Sequence, residues 1–571
     1  MIMSTGVASA AERQADATIG AVNRSLALNE NPAASPFIRS YAHSFNTLAR
    51  WFHYDPHDPR SMDARLKELD GIDFPARKQA AQALSAQQER WGCSGAAVRA
   101  ARELGEPGTY AVIAGQQTGL FGGPLYTQLK AVTIVKLARE LAARYPGRRF
   151  VPVFWMATSD SDFDEVRQAF LLDRAGGLME LALPEAPPDD EALTIAARDV
   201  SQDMARLLDG LGETLPPGAY RDETADALRS DYGSTDGPGG LVEGFAKWMA
   251  RLFGETELVL LDPQDPAMMR CAVPLLSQEI EQAAAIEQAL AERSEELAQE
   301  GYEPQVKPVA GDTNLFLLDD GGRRHKLARD DGGFLLRHSG ERLSQAELHR
   351  RASAAPERFV PGVLLRPVFQ DVLFPTAAFV GGSAEIAYRA QATAVFDIHQ
   401  RRMAPAFLRS TATILPQRSA ELLDQLGLSL ADCYCLPEQL AAEAVAADRA
   451  GEVDAALLHY RTRIEQAERE LEAVACTIDP QLSEPFATLR GNLERHAEKL
   501  EKKIVSALKQ RHESTLRRLA LVQQQVYPRQ SPQERVLSAL TFLARHGFGL
   551  VRTLLESLDA PSWEHQLLIM E

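Results

Sequence analysis

Cysteine is scarce and irregularly placed. Cys93, Cys271, Cys433, Cys435 and Cys476 are the only five in 571 residues. An odd, scattered set reads as reduced thiols in a reducing compartment, not as a disulfide framework. Cys433 and Cys435 form one C-x-C pair with no second pair and no nearby His, so no metal site is assigned. The twelve histidines are scattered too, and none forms H-x-x-x-H or a Cys/His cluster. No apolar run reaches the roughly 18 residues of a membrane-crossing helix. The first twenty residues lack a basic segment followed by an apolar one, so no secretory signal is expected and a cytoplasmic location is. Positive charge is outnumbered, 61 Lys and Arg against 79 Asp and Glu, a formal net charge of −18. That sign argues against non-specific nucleic-acid or anionic-membrane binding, though not against a local basic site for a phosphorylated ligand. Aromatic residues make up 7% against a hydrophobic total of 45%, so the core must be largely aliphatic and Ala-rich. Neither G-x-G-x-x-G nor G-x-x-x-x-G-K-[ST] occurs, which withholds any ordinary dinucleotide or P-loop assignment.

What is present has α/β organisation. Thr109–Ala114 is a short apolar run of strand formers that ends at Gly115 in a glycine-rich loop, Gly115 to Pro124. Pro124 suits a first helical turn, and Leu125, Leu129, Val132, Val135 and Leu141 mark a largely buried helix. Tyr145-Pro146-Gly147 stops it, and Phe150–Met156 is a second strand. Strand, loop, helix and strand within about fifty residues make a βαβ unit, which predicts parallel strands and a right-handed crossover. Pro/Gly/Asp-rich stretches at 184–190 and 231–240 read as linkers, and 302–340 as a small antiparallel patch. The expected division is an α/β Rossmann-like parallel-sheet core over 1–416, with inserts at about 175–240 and 300–350, followed by an α-helical coiled-coil domain over 417–571. In that second part Leu489, Leu493, Ala497, Leu500, Ile504 and Leu508 follow helical spacing, slipping around Arg511 and His512. Leu457, Tyr460, Ile464, Ala467 and Leu471 supply a partner helix, and Asp479-Pro480 lies in the turn. An antiparallel hairpin is the natural reading; its apolar seam could pack internally or seal a dimer, and a protruding seam that needs covering slightly favours the dimer. The basic run from Lys499 to Arg518 reads most simply as a solvated helix face, with an anion or nucleotide site as the lesser alternative.

Three segments carry candidate chemistry. In the glycine loop, Gly115, Gly119 and Gly123 allow close backbone approach, and the helix behind offers free N–H groups to an anion. The alternative is a tight βα turn whose glycines serve packing. The second segment, Thr158 to Glu165, follows the next strand, so both loops should face one crevice at the sheet's carboxyl edge. Its carboxylates, Asp160 and Asp162 foremost, suit binding an amine, orienting a hydroxyl, holding Mg²⁺ or acting as a base. They equally suit a solvated helix start. The third runs from Arg366 and Gln370 to Gly381-Gly382, with Ser383 as N-cap and Glu385 and Tyr388 one turn apart. His53-Tyr54-Asp55-Pro56 is the one histidine setting where aromatic and polar groups converge.

In this order these blocks resemble the bacillithiol-biosynthesis cysteine-adding enzymes. The glycine loop matches through Gly115-Gln116-Gln117, Gly119-Leu120 and Gly123-Pro124-Leu125-Tyr126-Thr127. The acidic loop matches through Val153-Phe154-Trp155 running into Asp160 and Asp162-Phe163-Asp164-Glu165. The third block matches through Leu365-Arg366-Pro367, Gln370-Asp371, Pro375-Thr376, Gly381-Gly382 and Glu385-Ile386-Ala387-Tyr388. Leu500 to Ile504 and Gln533 to Leu537 match the family's coil, and Trp51 to Pro56 is similar as well. The resemblance covers nearly the whole chain. It implies a Rossmann-like core, a dimerising C-terminal coil, and addition of L-cysteine to glucosaminyl-malate in the last step of bacillithiol synthesis. That bond is an amide, so ATP is the implied cosubstrate, Mg²⁺ its possible companion, with no tightly bound cofactor. Neither H-I-G-H nor K-M-S-K-S is present to form an adenylate. On this reading Asp160, Asp162 and Glu385 are the catalytic candidates. Substrate binding falls to Gly115, Gln116, Gln117, Gly119, Gly123, Tyr126, Thr127, Ser161, Arg366, Gln370 and Tyr388, and no metal ligands are assigned. The chain departs from the family pattern at Ser161, where His is common, and at Leu129, Ser383-Ala384 and Arg389. Two other readings stay open: an ATP-dependent amide ligase with another amine, and a non-catalytic coiled-coil dimer that kept the fold.

Overall fold

The computed structural model describes residues 24–28, 30–233, 237–449, 452–511 and 513–570. The N-terminal stretch read for a signal, the slip at His512 and part of the 231–240 linker lie outside them.

The central sheet is built from runs that are apolar on both faces. Its order is β13 (Ala406–Leu408), β12 (Thr376–Gly381), β2 (Thr109–Gln116), β3 (Arg149–Met156) and β6 (Val259–Leu261). All four pairings are parallel. Strand β2 shows why the run is continuous. Tyr110, Val112 and Ala114 enter one apolar cluster, whereas Ala111 and Ile113 enter the other. A sheet covered on both sides needs apolar residues at every position. The helix Tyr126–Arg144 joins β2 to β3 as the βαβ pattern predicts, with Leu129, Val132, Val135 and Leu141 buried.

The regions read as inserts pack into the same body. The hairpin β4 (Gln168–Leu172) and β5 (Leu178–Ala182) is followed by helices Ser201–Thr214 and Arg221–Tyr232. Their Met204, Leu208, Leu228 and Tyr232 share a cluster with the Tyr126–Arg144 helix. The patch at 302–340 is wider than its pattern suggested. It is an antiparallel sheet ordered β10 (Arg342–Leu343), β9 (Gly333–Leu336), β8 (Arg324–Asp330), β7 (Asp312–Leu318) and β11 (Phe359–Pro361).

Two compact units divide the chain. The first runs through Arg174 and includes Leu178–Pro416 and everything from Glu534 onward. The second holds Gln417–Gln533 with Ala175–Gly177. The boundary expected at 416 is therefore crossed again at 534. The reason is a third small sheet. β15 (Glu564–Met570) lies between β14 (Thr411–Pro416), which it pairs in parallel, and β1 (Arg24–Ala27), which it pairs antiparallel. Six of its seven residues are buried. Glu534 is also buried, ion-paired to Arg409 at 2.6 Å and accepting from the Ala412 N–H at 2.8 Å. A segment whose pattern matched a coil thus belongs to the α/β unit.

In the second unit, helices Glu452–Ile478 and Ser483–Arg511 form the expected hairpin around a turn at Pro480–Leu482. Arg461 reaches Glu501, while Arg490 reaches Glu468 and Glu472, a pairing that runs in opposite directions along the two helices. The seam is more polar than its spacing suggested. Ala497 and Glu468 are buried in it, but Tyr460, Leu471, Leu489 and Leu500 are exposed.

Candidate functional site at the carboxyl edge of the parallel sheet

Parallel strands end on one edge, and there the three candidate segments meet. Gln116 and Gln117 leave β2, Asp160 follows β3, and Glu385 starts the helix Ser383–Ile398 after β12. The Gln117 amide donates to Asp160 Oδ2 at 3.3 Å and to Glu165 Oε2 at 2.6 Å. The Gln116 amide donates to Gln117 Oε1 at 2.7 Å and to the Tyr126 hydroxyl at 3.0 Å. Burial pushes the Tyr126 phenol up, keeping it protonated.

The link to the third block is Lys130, one turn beyond Tyr126 and almost fully buried. Its ammonium donates to the Gly115 carbonyl at 2.7 Å and to Gln116 Oε1 at 2.8 Å, and it ion-pairs with Glu385. Burial lowers the amine's pKa, and the Glu385 charge acts against that shift. Glu385 also accepts from the Gly382 N–H at 2.8 Å. The helix cap is Gly382 rather than Ser383. Glu385 is therefore both a helix-start carboxylate and the buried lysine's counter-ion.

Arg366 closes the group, donating to the Tyr388 hydroxyl at 3.3 Å. Burial opposes its charge, but Tyr388, Glu385 and Asp160 together hold the guanidinium above its ordinary value. Asp160 Oδ1 accepts from the Ser161 N–H at 2.7 Å and from Arg324 at 3.3 Å. Beneath the acidic loop, the half-buried Asp262 accepts from the Thr158 hydroxyl at 2.6 Å. This anchors the chain just before Asp160.

Several candidates fall outside the crevice. Asp162 is exposed and caps the short helix Phe163–Val166 through the Glu165 N–H at 3.1 Å. Gly119 and Gly123 are buried, and their N–H groups donate to Gln117 and Leu120 carbonyls. A Cβ on Gly119 would meet Gly123 Cα at 2.8 Å, so these glycines serve loop packing. Thr127 is buried under the same loop, its hydroxyl unpartnered. Gln370 is buried, its carbonyl oxygen 3.5 Å from Arg389. Arg389 itself is buried with its guanidinium 3.4 Å from the Phe379 ring centroid, and desolvation takes its pKa down to about 10. His53 uses both ring nitrogens structurally, on Asp397 at 2.9 Å and the Met403 N–H at 2.7 Å. Sequence reasoning missed Lys130 and Arg324. A lysine set among buried positions in the first turns of the helix Tyr126–Arg144 was the available signal for the first. Nothing local marked Arg324, which comes from the antiparallel sheet.

A family model described as the bacillithiol biosynthesis BshC N-terminal Rossmann-like domain matches residues 24–410. The corresponding C-terminal coiled-coil model matches 412–570. The chain belongs to the BshC family. Curated relatives in this BshC group carry the name "Putative cysteine ligase BshC". One from Koribacter versatilis is 34% identical over 84% of this chain and 88% of its own. One from Solibacter usitatus is 33% identical over 88% and 95% respectively, and one from Salinibacter ruber 31% over 92% and 95%. Among solved structures, a Campylobacter jejuni chain titled "putative arginyl t-RNA synthetase" aligns at 12% identity with a TM-score of 0.19, too slight to bear on this BshC fold. The coiled-coil model extends to 570, so the BshC C-terminal region is larger than the compact helical unit and includes the returning tail.

Proposed function

We propose that this BshC-family chain is a ligase that joins L-cysteine to glucosaminyl-malate, completing bacillithiol. The bond made is an amide between the cysteine carboxyl and the sugar amine. ATP is the cosubstrate: one carboxylate oxygen leaves with a phosphoryl or adenylyl group, and the amine gives up a proton as the C–N bond forms. The supporting observation is the convergence on one sheet edge of Asp160, Gln117, Glu385 and Arg366 within a BshC-family chain. Asp160 Oδ2 keeps one long contact, from Gln117, and so has capacity to accept from an amine and orient it. Among the described residues no cluster of three or more His, Cys, Asp or Glu suited to a metal ion occurs. Mg²⁺ is therefore proposed to accompany the triphosphate, an ion that keeps most of its waters. Self-association through the C-terminal hairpin completes the proposal. The test is incubation of the purified full chain with cysteine, ATP and glucosaminyl-malate, followed by mass spectrometry. Formation of bacillithiol is expected. Turnover of a different amine in substrate profiling, with none of this one, would replace the reading by that of a ligase with another amine.

A further inference from the structure

Among the cations of the helix Tyr126–Arg144, Lys130 alone is buried, its side chain 3% exposed. Burying a charge is costly unless it is paired and its polar atoms are satisfied. An ammonium has three N–H donors and no acceptor. Lys130 meets three acceptors, the Gly115 carbonyl, Gln116 Oε1 and the Glu385 carboxylate. The group is therefore satisfied within the protein, and it acts on its neighbours rather than on a ligand.

One of those neighbours begins a chain of side-chain amides. A glutamine amide has an acceptor end and a donor end of nearly the same size, so hydrogen bonds and not shape decide which way it faces. Lys130 can only donate, so the Gln116 carbonyl oxygen turns to it, at 2.8 Å. The Gln116 NH2 then faces the other way and donates to Gln117 Oε1 at 2.7 Å and to the Tyr126 hydroxyl at 3.0 Å. That fixes the second amide in turn. Its NH2 donates to Asp160 Oδ2 at 3.3 Å and to Glu165 Oε2 at 2.6 Å. The far end agrees with the near one, since ionised carboxylates only accept. Reversing either amide would set donor against donor on one side and acceptor against acceptor on the other.

We infer that Lys130 is a positioning residue for the acidic loop. Through the Gln116 and Gln117 amides it sets a donor between Asp160 and Glu165 and holds these two carboxylates in place at the sheet's carboxyl edge. Asp160 Oδ1 is already occupied by the Ser161 and Asp162 N–H groups and by Arg324. The relay therefore governs Oδ2, the oxygen proposed to receive the amine. That Asp160 serves ligation rests on the ligase reading, whereas the direction of the amides does not.

The test cuts the relay in the full chain and follows both rate and amide orientation. Lys130→Met removes the donor and keeps much of the side chain's length. Gln117→Met removes the last amide and spares the Lys130–Glu385 pair. Each should lower kcat/KM for glucosaminyl-malate roughly tenfold or more, as loss of a charged hydrogen-bond partner does, with the KM for ATP unchanged. The double variant should fall no lower than the worse single one, because both changes cut one path. Losses that multiply, as for a lysine that only supports the fold, overturn the relay. Because Lys130→Met also strands the Glu385 charge, Gln116→Glu is the second variant. It keeps an acceptor for Lys130 and removes only the NH2 that faces Gln117, and it should lose activity to a similar degree. A wild-type rate in Gln116→Glu overturns the relay. NMR of the chain carrying isotope-labelled glutamine needs no turnover. The Gln117 side-chain NH2 signals, identified by their loss in Gln117→Met, should move in Lys130→Met and in Gln116→Glu. Signals unmoved in both overturn the relay. If they move but the wild type ligates no amine, the ligase reading fails and the relay stands.

Discussion

Asp160 and Asp162 look equivalent in sequence, two carboxylates one residue apart, yet they have different surroundings. Asp160 touches Gln117 and Arg324 in the crevice, whereas Asp162 caps a short helix from the outside. Asp160→Asn should therefore abolish ligation in the mass-spectrometric assay while leaving the melting temperature nearly unchanged. Asp162→Ala should cost about 0.5–2 kcal/mol of stability as a lost cap, with ligation retained. The reverse pattern would remove Asp160 from the site. Gly119 offers a similar contrast between sequence and structure. Its place in a glycine loop suggested ligand approach, but its Cα faces Gly123. Gly119→Ala must displace backbone and should destabilise by about 1–3 kcal/mol in denaturant titration. The candidate residues found by motif were those at strand ends. Lys130 and Arg324 escaped because no motif names a buried lysine or an arginine some 160 residues from its aspartate partner.

At the scale of elements, the βαβ unit and the helical hairpin follow from periodicity, since each satisfies its backbone locally and shows one spacing. The tail does not. Gln533 to Leu537 matched a coil, but Glu534 is buried against Arg409 and the Ala412 N–H. Burial opposes the Glu534 charge, but Arg409 and those hydrogen bonds hold its pKa below the ordinary value of 4.5. A carboxylate with a lowered folded pKa contributes stability above its unfolded pKa, and loses it as pH falls through the folded one. Glu534→Gln should cost about 3–5 kcal/mol near neutral pH, because Arg409 is left buried without its counter-ion. The gap between wild type and variant should close as the pH drops below about 4.5. Denaturant midpoints across that range would show it, and a gap that is flat with pH would deny the clamp.

For the molecule as a whole, the hairpin presents an apolar stripe on its surface. Leu471, Val474 and Ile478 are 59, 61 and 80% exposed, at one-turn spacing on the same helix. If the proposed self-association uses this stripe, the wild type should sediment as a dimer, and Leu471→Glu with Val474→Glu as a monomer with unchanged helix content. A monomeric wild type would refute the proposal. Sequence alone determined the kinds of element and the family, because apolar period and turn residues act over short stretches of chain and five blocks recur in register. Tertiary structure decided what those stretches do to one another. It turned the glycine loop into packing, made Lys130 a buried strut and returned the tail to the α/β unit. It also brought Arg324 of the antiparallel sheet to the carboxyl edge of the parallel one. Such pairings depend on distance in space, and the cost of leaving a buried charge or donor unpaired is incurred only once the chain has closed around it.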